Sequence, residues 1–156
     1  GSSTGGFTDC LLEHGAVKVI AIDSGTNQMI WRLRTDARVD LRENTHARNL
    51  SPDDLEGKVD LAVIDVSFIS VTKILPAVVP LLRDQAKAIV LIKPQFEVGK
   101  GEVGKGGIVR EQEKHQSVIQ NVNSTAENLG LRIVGTTESP IRGAKGNVEF
   151  LALYER

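Results

Sequence analysis

Three ionisable residues interrupt three of the most apolar stretches of this chain: Asp65 in LAVIDVSFIS, Lys93 in AIVLIKPQF and Glu149 in GNVEFLALY. A charge at the rim of a buried strand costs free energy unless a neighbouring charge or hydrogen bond offsets it. Three such residues, alternating in sign and each at the end of an apolar run, suggest a reaction centre. Ionisable groups placed this way serve general acid–base chemistry. Each carboxylate alone has a plainer reading. Asp65 caps the turn that follows it, or Glu149 pairs with Lys145 on the surface for ~0–1 kcal/mol.

The elements that must hold these charges alternate between strand and helix patterns. Residues 17–22 are a short β-rich run ending at Asp23-Ser24-Gly25, and 38–42 are a weaker one. Residues 59–66 and 86–92 are near-continuous Val/Ile/Leu/Ala runs, the mark of strands buried on both faces of a parallel sheet. Helical patterns cover 7–14, 28–34, 71–82 and 111–129, the last stopped by Gly130. Residues 131–137 and 148–154 read as an antiparallel hairpin around the turn-rich 139–147, closing an α/β sheet. In open α/β sheets ligands bind beyond the carboxyl ends of the parallel strands. Asp65 and Lys93 lie at such ends, and an antiparallel last strand brings Glu149, near its start, to the same rim.

Composition narrows the chemistry. At 156 residues the chain is one domain with room for a core, and 40% hydrophobic with 25% charged residues is ordinary for a globular protein. Aromatics at 4% argue against base-stacking platforms, and a net charge of −1 argues against wholesale electrostatic binding of nucleic acid, leaving room for a local basic patch. Cys10 is the only cysteine, which excludes a disulfide framework and a zinc cluster; it reads as a small packed hydrophobe. No metal site is expected, since His14, His46 and His115 lack ligand-like spacing and read as exposed or capping residues. Met29 and Trp31 fall in a helix pattern and are expected to pack. Asp53-Asp54 and Glu111/Glu113 look like acids at helix starts. No apolar run reaches the ~18–20 residues of a membrane span, and no signal peptide is visible, so a cytoplasmic protein is expected.

The chain opens on Gly1-Ser2-Ser3-Thr4-Gly5-Gly6-Phe7 ahead of a helix, with Asp23 some way on. A glycine-rich helix lead-in followed by an acid about 20 residues later is a nucleotide-binding pattern, the acid accepting from ribose hydroxyls. By itself such a lead-in is equally a plain turn. It is not a P-loop, because no Lys-Ser/Thr follows.

GSSTGGFTDCLLEHGA, AIDSG, AVIDVSFIS, LIKPQFEVGKGEVGKGGIVR and SPIRGAKGNVEFLALY together resemble the TlyA family of FtsJ-type ribose 2′-O-methyltransferases, often labelled hemolysins. The resemblance spans essentially the whole chain. It implies a Rossmann-like fold, mostly parallel with an antiparallel C-terminal strand, that binds S-adenosylmethionine and methylates ribosomal RNA in ribosomal subunits. The family's Lys-Asp-Lys-Glu catalytic set puts its last three members on Asp65, Lys93 and Glu149. The cofactor would be held by Gly1, Ser3, Thr4, Gly5, Gly6, Phe7, Asp23, Ser24, Glu43, Asn44, Asp65 and Val66. His46 stands where relatives tend to carry Asn, in the segment after the strand that flanks the adenosine. The resemblance further implies a first strand and a catalytic lysine ahead of Gly1, together with an N-terminal RNA-binding domain. On that reading 1–156 is a methyltransferase domain truncated at its N-terminus and lacking its first strand.

Methyl transfer from a sulfonium expels a neutral thioether, so the need is a ribose hydroxyl held in line and relieved of its proton. Lys93 is the candidate base or hydroxyl-orienting cation, with Asp65 and Glu149 positioning it. Carboxylates beside it favour its charged form whereas a base must be neutral, and the upstream lysine would offset that. Lys100, Lys105 and Arg110 in the glycine-rich loop and Arg142 and Lys145 in the hairpin turn are the expected RNA contacts. Two other functions fit the resemblance: a catalytically impaired domain that binds cofactor or RNA, and a membrane-active hemolysin. The second is disfavoured because no segment joins a strong apolar face to a basic one.

Overall fold

The apolar runs that mark strands in the sequence all become strands, although they divide between two sheets. The computed structural model describes residues 1–99 and 101–156, which form two compact units, Gly1–Leu50 and Ser51–Arg156. Lys100, one of the expected RNA contacts, lies outside the described residues.

In the first unit β1 (Val19–Ile22) and β2 (Val39–Arg42) pair in parallel, Val19 opposite Val39 and Ile22 opposite Arg42. Helix α1 (Gly6–Glu13) contributes Leu12 to a buried cluster with Val19, Ala21, Met29 and Leu33. Cys10 is not packed as expected but exposed. The inward face of α1 carries Thr8 and Leu12, four residues apart, and Cys10 lies midway between them on the opposite side. The helix expected at 28–34 shrinks to one turn, α2 (Trp31–Arg34), because Ile30 is extended at φ −60°, ψ 147°. Met29 and Leu33 then take the inward positions, and Trp31 is left 76% exposed rather than packed.

The second unit is a four-stranded sheet in the order β3 (Val59–Ile64), β4 (Leu82–Ile92), β6 (Phe150–Glu155), β5 (Arg132–Glu138). Strands β3 and β4 are parallel, and β6 runs antiparallel to both β4 and β5. Three strands therefore share a direction and the C-terminal one opposes them, the α/β arrangement expected. The helix expected at 71–82 is broken into a 3-10 turn Val71–Lys73, α3 (Leu75–Val78) and a second 3-10 turn Val79–Leu81. Pro76 and Pro80 each remove a backbone donor and disfavour helix at the preceding residue. Helix α4 (Pro94–Glu97) follows β4, and α5 (Gln112–Asn128) turns the stripe His115, Val118, Val122 and Ala126 inward. His115 is thus buried, against expectation, its Nε2 2.9 Å from the Val109 carbonyl and its ring edge-on to Phe150. Among the described residues no helix is long and apolar enough to cross a membrane.

Candidate active site

Where β3 and β4 end, their ladder bonds end too, and side chains take over. Lys93 is the extended N-cap residue of α4, with Pro94 at the first helical position stopping the strand. Its ammonium is ion-paired with the Asp65 carboxylate, the two side chains being 13% and 29% exposed. The directed hydrogen bond of Lys93 goes to Ser67 Oγ at 3.1 Å. Asp65 Oδ1 has no hydrogen-bond geometry of its own, so that contact is chiefly charge on charge.

Sheet register brings Glu149 to the same rim. Ile92 lies directly opposite Phe150, so Lys93 and Glu149 each stand one residue beyond that pair. Glu149 is 7% exposed and accepts a hydrogen bond from Gln95 Nε2 at 2.8 Å. It does not form the surface pair with Lys145 that its spacing allowed, because its side chain turns inward. Gly143 makes room for it: a Cβ there would stand 2.0 Å from Glu149 Oε1. Ser67, Gln95 and Gly143 escaped sequence reasoning, as did Phe68, which is 92% exposed with φ 64° and leans its ring on Phe96 at 5.1 Å. Their only signal was proximity in sequence to a buried charge.

A buried asparagine clasps the basic loop to the hairpin turn. Asn147, 1% exposed, accepts from the Val109 amide (3.0 Å) and donates to the carbonyls of Gly107 (2.9 Å) and Ala144 (3.0 Å). Both amide hydrogens are used, and Val109 itself is buried. Truncating Asn147 to alanine strands the Val109 donor, so urea unfolding is expected to show a loss of about 1–3 kcal/mol with an unchanged slope. On these loops Lys105, Arg110, Arg142 and Lys145 are exposed. Arg142 pairs with Glu138 at 3.1 Å. The Lys145 side chain lies over Gly107, its ammonium 3.1 Å from where a Cβ would stand, so the two loops touch.

In the first unit the glycine-rich turn is tied to the end of β1. Asp23 accepts from the amides of Ser3 and Gly25, each at 2.7 Å. Burial pushes its carboxyl up, but these backbone donors outweigh that and hold it below the ordinary aspartate range. Gly5 caps α1 at φ 105°, and a Cβ there would strike Leu33 at 2.4 Å, so only glycine serves. Ser2 Oγ in this turn is buried without a hydrogen-bond partner. Gly1, Ser3, Thr4, Gly6 and Phe7 are exposed along it, and Ser24 is exposed beyond Asp23. At the end of β2, Glu43 accepts from Arg34 and from the Asn27 amide (2.7 Å), and the Arg34 bond above all holds its carboxyl low. Asn44 follows at φ 51°. Of the other expected cofactor contacts, Asp65 and Val66 belong to the second unit, and Asp65 is engaged with Lys93.

Parallel strands joined through helices, with one antiparallel C-terminal strand, make an α/β fold that matches Rossmann-like methyltransferases. The N-methyltransferase NodS of Bradyrhizobium japonicum WM9, solved with S-adenosyl-l-homocysteine, superposes at TM-score 0.67 and 13% identity, covering 98% of this chain and 73% of that one. The chain belongs to the FtsJ-like methyltransferase family, whose model matches residues 1–156. It is 47% identical over 150 residues to the 16S/23S rRNA (cytidine-2′-O)-methyltransferase TlyA of Mycobacterium tuberculosis, covering 96% of this chain and 56% of that protein. The chain therefore spans little more than half the length of that relative. A crystal structure of a provisionally assigned hemolysin from Lactococcus lactis superposes at TM-score 0.96 and 47% identity, covering 99% of this chain and 74% of that one.

Proposed function

We propose that this chain carries the methyl-transfer centre of an enzyme that methylates a ribose 2′-hydroxyl of ribosomal RNA from S-adenosylmethionine, with both units parts of one cytoplasmic methyltransferase domain. The observation that carries the reading is the half-buried Lys93–Asp65 pair, set at the rim that also holds Glu149, in an FtsJ-like fold. The naming of the M. tuberculosis relative supports the substrate class.

The residues of the first unit fit the cofactor. A carboxylate has about four lone-pair sites, and Asp23 accepts from the Ser3 and Gly25 amides with the Ser2 amide also acting on it, leaving capacity for a ribose hydroxyl. Ser2 Oγ is a buried polar atom still lacking a partner, and a side chain at Gly6 would meet nothing within 4 Å. S-adenosylmethionine supplies an electrophilic methyl group on a sulfonium. Lys93 orients the ribose hydroxyl or accepts its proton, Asp65 fixes the Lys93 stem, and Glu149, held by Gln95, fixes the opposite side of the rim. The exposed Phe68 ring offers an apolar face for a nucleobase. Lys105, Arg110, Arg142 and Lys145 supply phosphate contacts from the two joined loops, and Lys100 shares their loop in sequence.

Calorimetric titration of the protein at its natural length with S-adenosylmethionine is expected to show one site, weakened about tenfold or more in Asp23→Ala, since two backbone anchors and the hydroxyl acceptor vanish together. Purified ribosomal subunits are expected to gain a labelled methyl group resistant to alkali at one ribose. Binding without transfer would leave a cofactor- or RNA-binding domain instead.

A further inference from the structure

The segments that leave β3 and β4 are cross-linked rung by rung. Lys93 pairs with Asp65 and donates to Ser67, and the Phe68 and Phe96 rings meet at 5.1 Å and 54°. The last rung is Glu97, the final residue of α4. Its Oε2 accepts from Ser70 Oγ at 2.6 Å and its Oε1 from the Val71 amide at 2.7 Å. The Lys93 rung begins the ladder and the Glu97 rung ends it.

Between those rungs Phe68 sits at φ 64°, a conformation that a non-glycine residue keeps only when its flanks are held. Burial pushes the Glu97 carboxyl above the ordinary glutamate range despite both donors. A carboxyl group buried at that desolvation cost, away from the Lys93 ion pair, needs a reason beyond solubility. We propose that Glu97 is a positioning residue, a latch that fixes the 66–71 loop and through it the Asp65–Ser67–Lys93 arrangement. This rests on reading that arrangement as the methyl-transfer centre.

The test compares Glu97→Gln, Glu97→Asp and Glu97→Ala in the protein at its natural length. Glutamine keeps both bonds, its carbonyl accepting from Val71 and its amide donating to Ser70. Aspartate keeps the charge but is one methylene short. The latch predicts kcat for methyl transfer to ribosomal subunits within about threefold of wild type in Gln, and lower by about tenfold or more in Asp and Ala. Binding of S-adenosylmethionine should weaken less than kcat falls in Asp and Ala, because of its expected contacts only Asp65 and Val66 adjoin the loop and the rest lie in the first unit. Amide exchange across 66–71 should quicken in Asp and Ala and not in Gln. Wild-type kcat in Asp and Ala, or Gln as damaging as Asp, overturns the latch. Should even the wild-type protein transfer no methyl group, the functional reading fails on its own account; unchanged exchange in Asp and Ala then overturns the latch separately.

Discussion

Lys93→Met is expected to lower the single-turnover rate of methyl transfer by about 10²–10⁴-fold while leaving S-adenosylmethionine affinity within about twofold. Methionine keeps most of the length and the apolar stem of the side chain but removes the ammonium that lies against both Asp65 and Ser67. Lys93→Arg separates the two roles open to the ammonium. Arginine preserves charge and reach yet is effectively never deprotonated, so a proton-accepting Lys93 predicts a loss close to that of methionine. Arginine within about tenfold of wild type would make Lys93 an orienting cation, with the proton leaving to water. Methionine at the wild-type rate would remove Lys93 from the reaction altogether. The comparison belongs in single turnover, where product release does not mask the chemical step.

Much of this rim was readable from local pattern. The runs around Asp65 and Lys93 read as strands buried on both faces, and their carboxyl ends follow from the parallel reading. Strand β4 is largely buried over 86–92, whereas β3 lies at the edge of its sheet with Asp60 and Leu61 exposed. Glu149 was reached by one further step, the antiparallel last strand, and the Ile92–Phe150 register bears that step out. What stayed hidden depends on partners distant in sequence. Gln95 and Glu149 are 54 residues apart, and Val109 and Asn147 are 38 apart. No periodicity links such pairs, because their meeting is decided by register and by the paths of loops. Cys10 and Trp31 failed for a different reason. Apolar type alone does not say which face of a one- or two-turn helix is inward, and Leu12 and Leu33 took those places. The break at 71–82 was legible in Pro76 and Pro80, but the surrounding valines and leucines outweighed it.

Gly143→Ala is expected to cut methyl transfer by about 10²-fold for a stability change of only about 1–2 kcal/mol. The backbone there, φ −75° and ψ −171°, is open to any residue, so the added methyl group brings no conformational strain. Its effect is steric and aimed at one target. The new Cβ would stand 2.0 Å from Glu149 Oε1 and 2.3 Å from its Cδ, distances that atoms do not share. The carboxylate ends a flexible side chain and can swing away, which spares the fold. It then leaves Gln95 Nε2, now 2.8 Å away, and the position at the rim that its 7% exposure shows to be enclosed. A double-mutant cycle isolates this route. In a Glu149→Ala background the methyl group has nothing to displace, so Gly143→Ala should change the residual rate by less than about twofold. Equal losses in both backgrounds would mean that the glycine acts through the hairpin turn, and Glu149 would lose its claim to a place in the reaction centre.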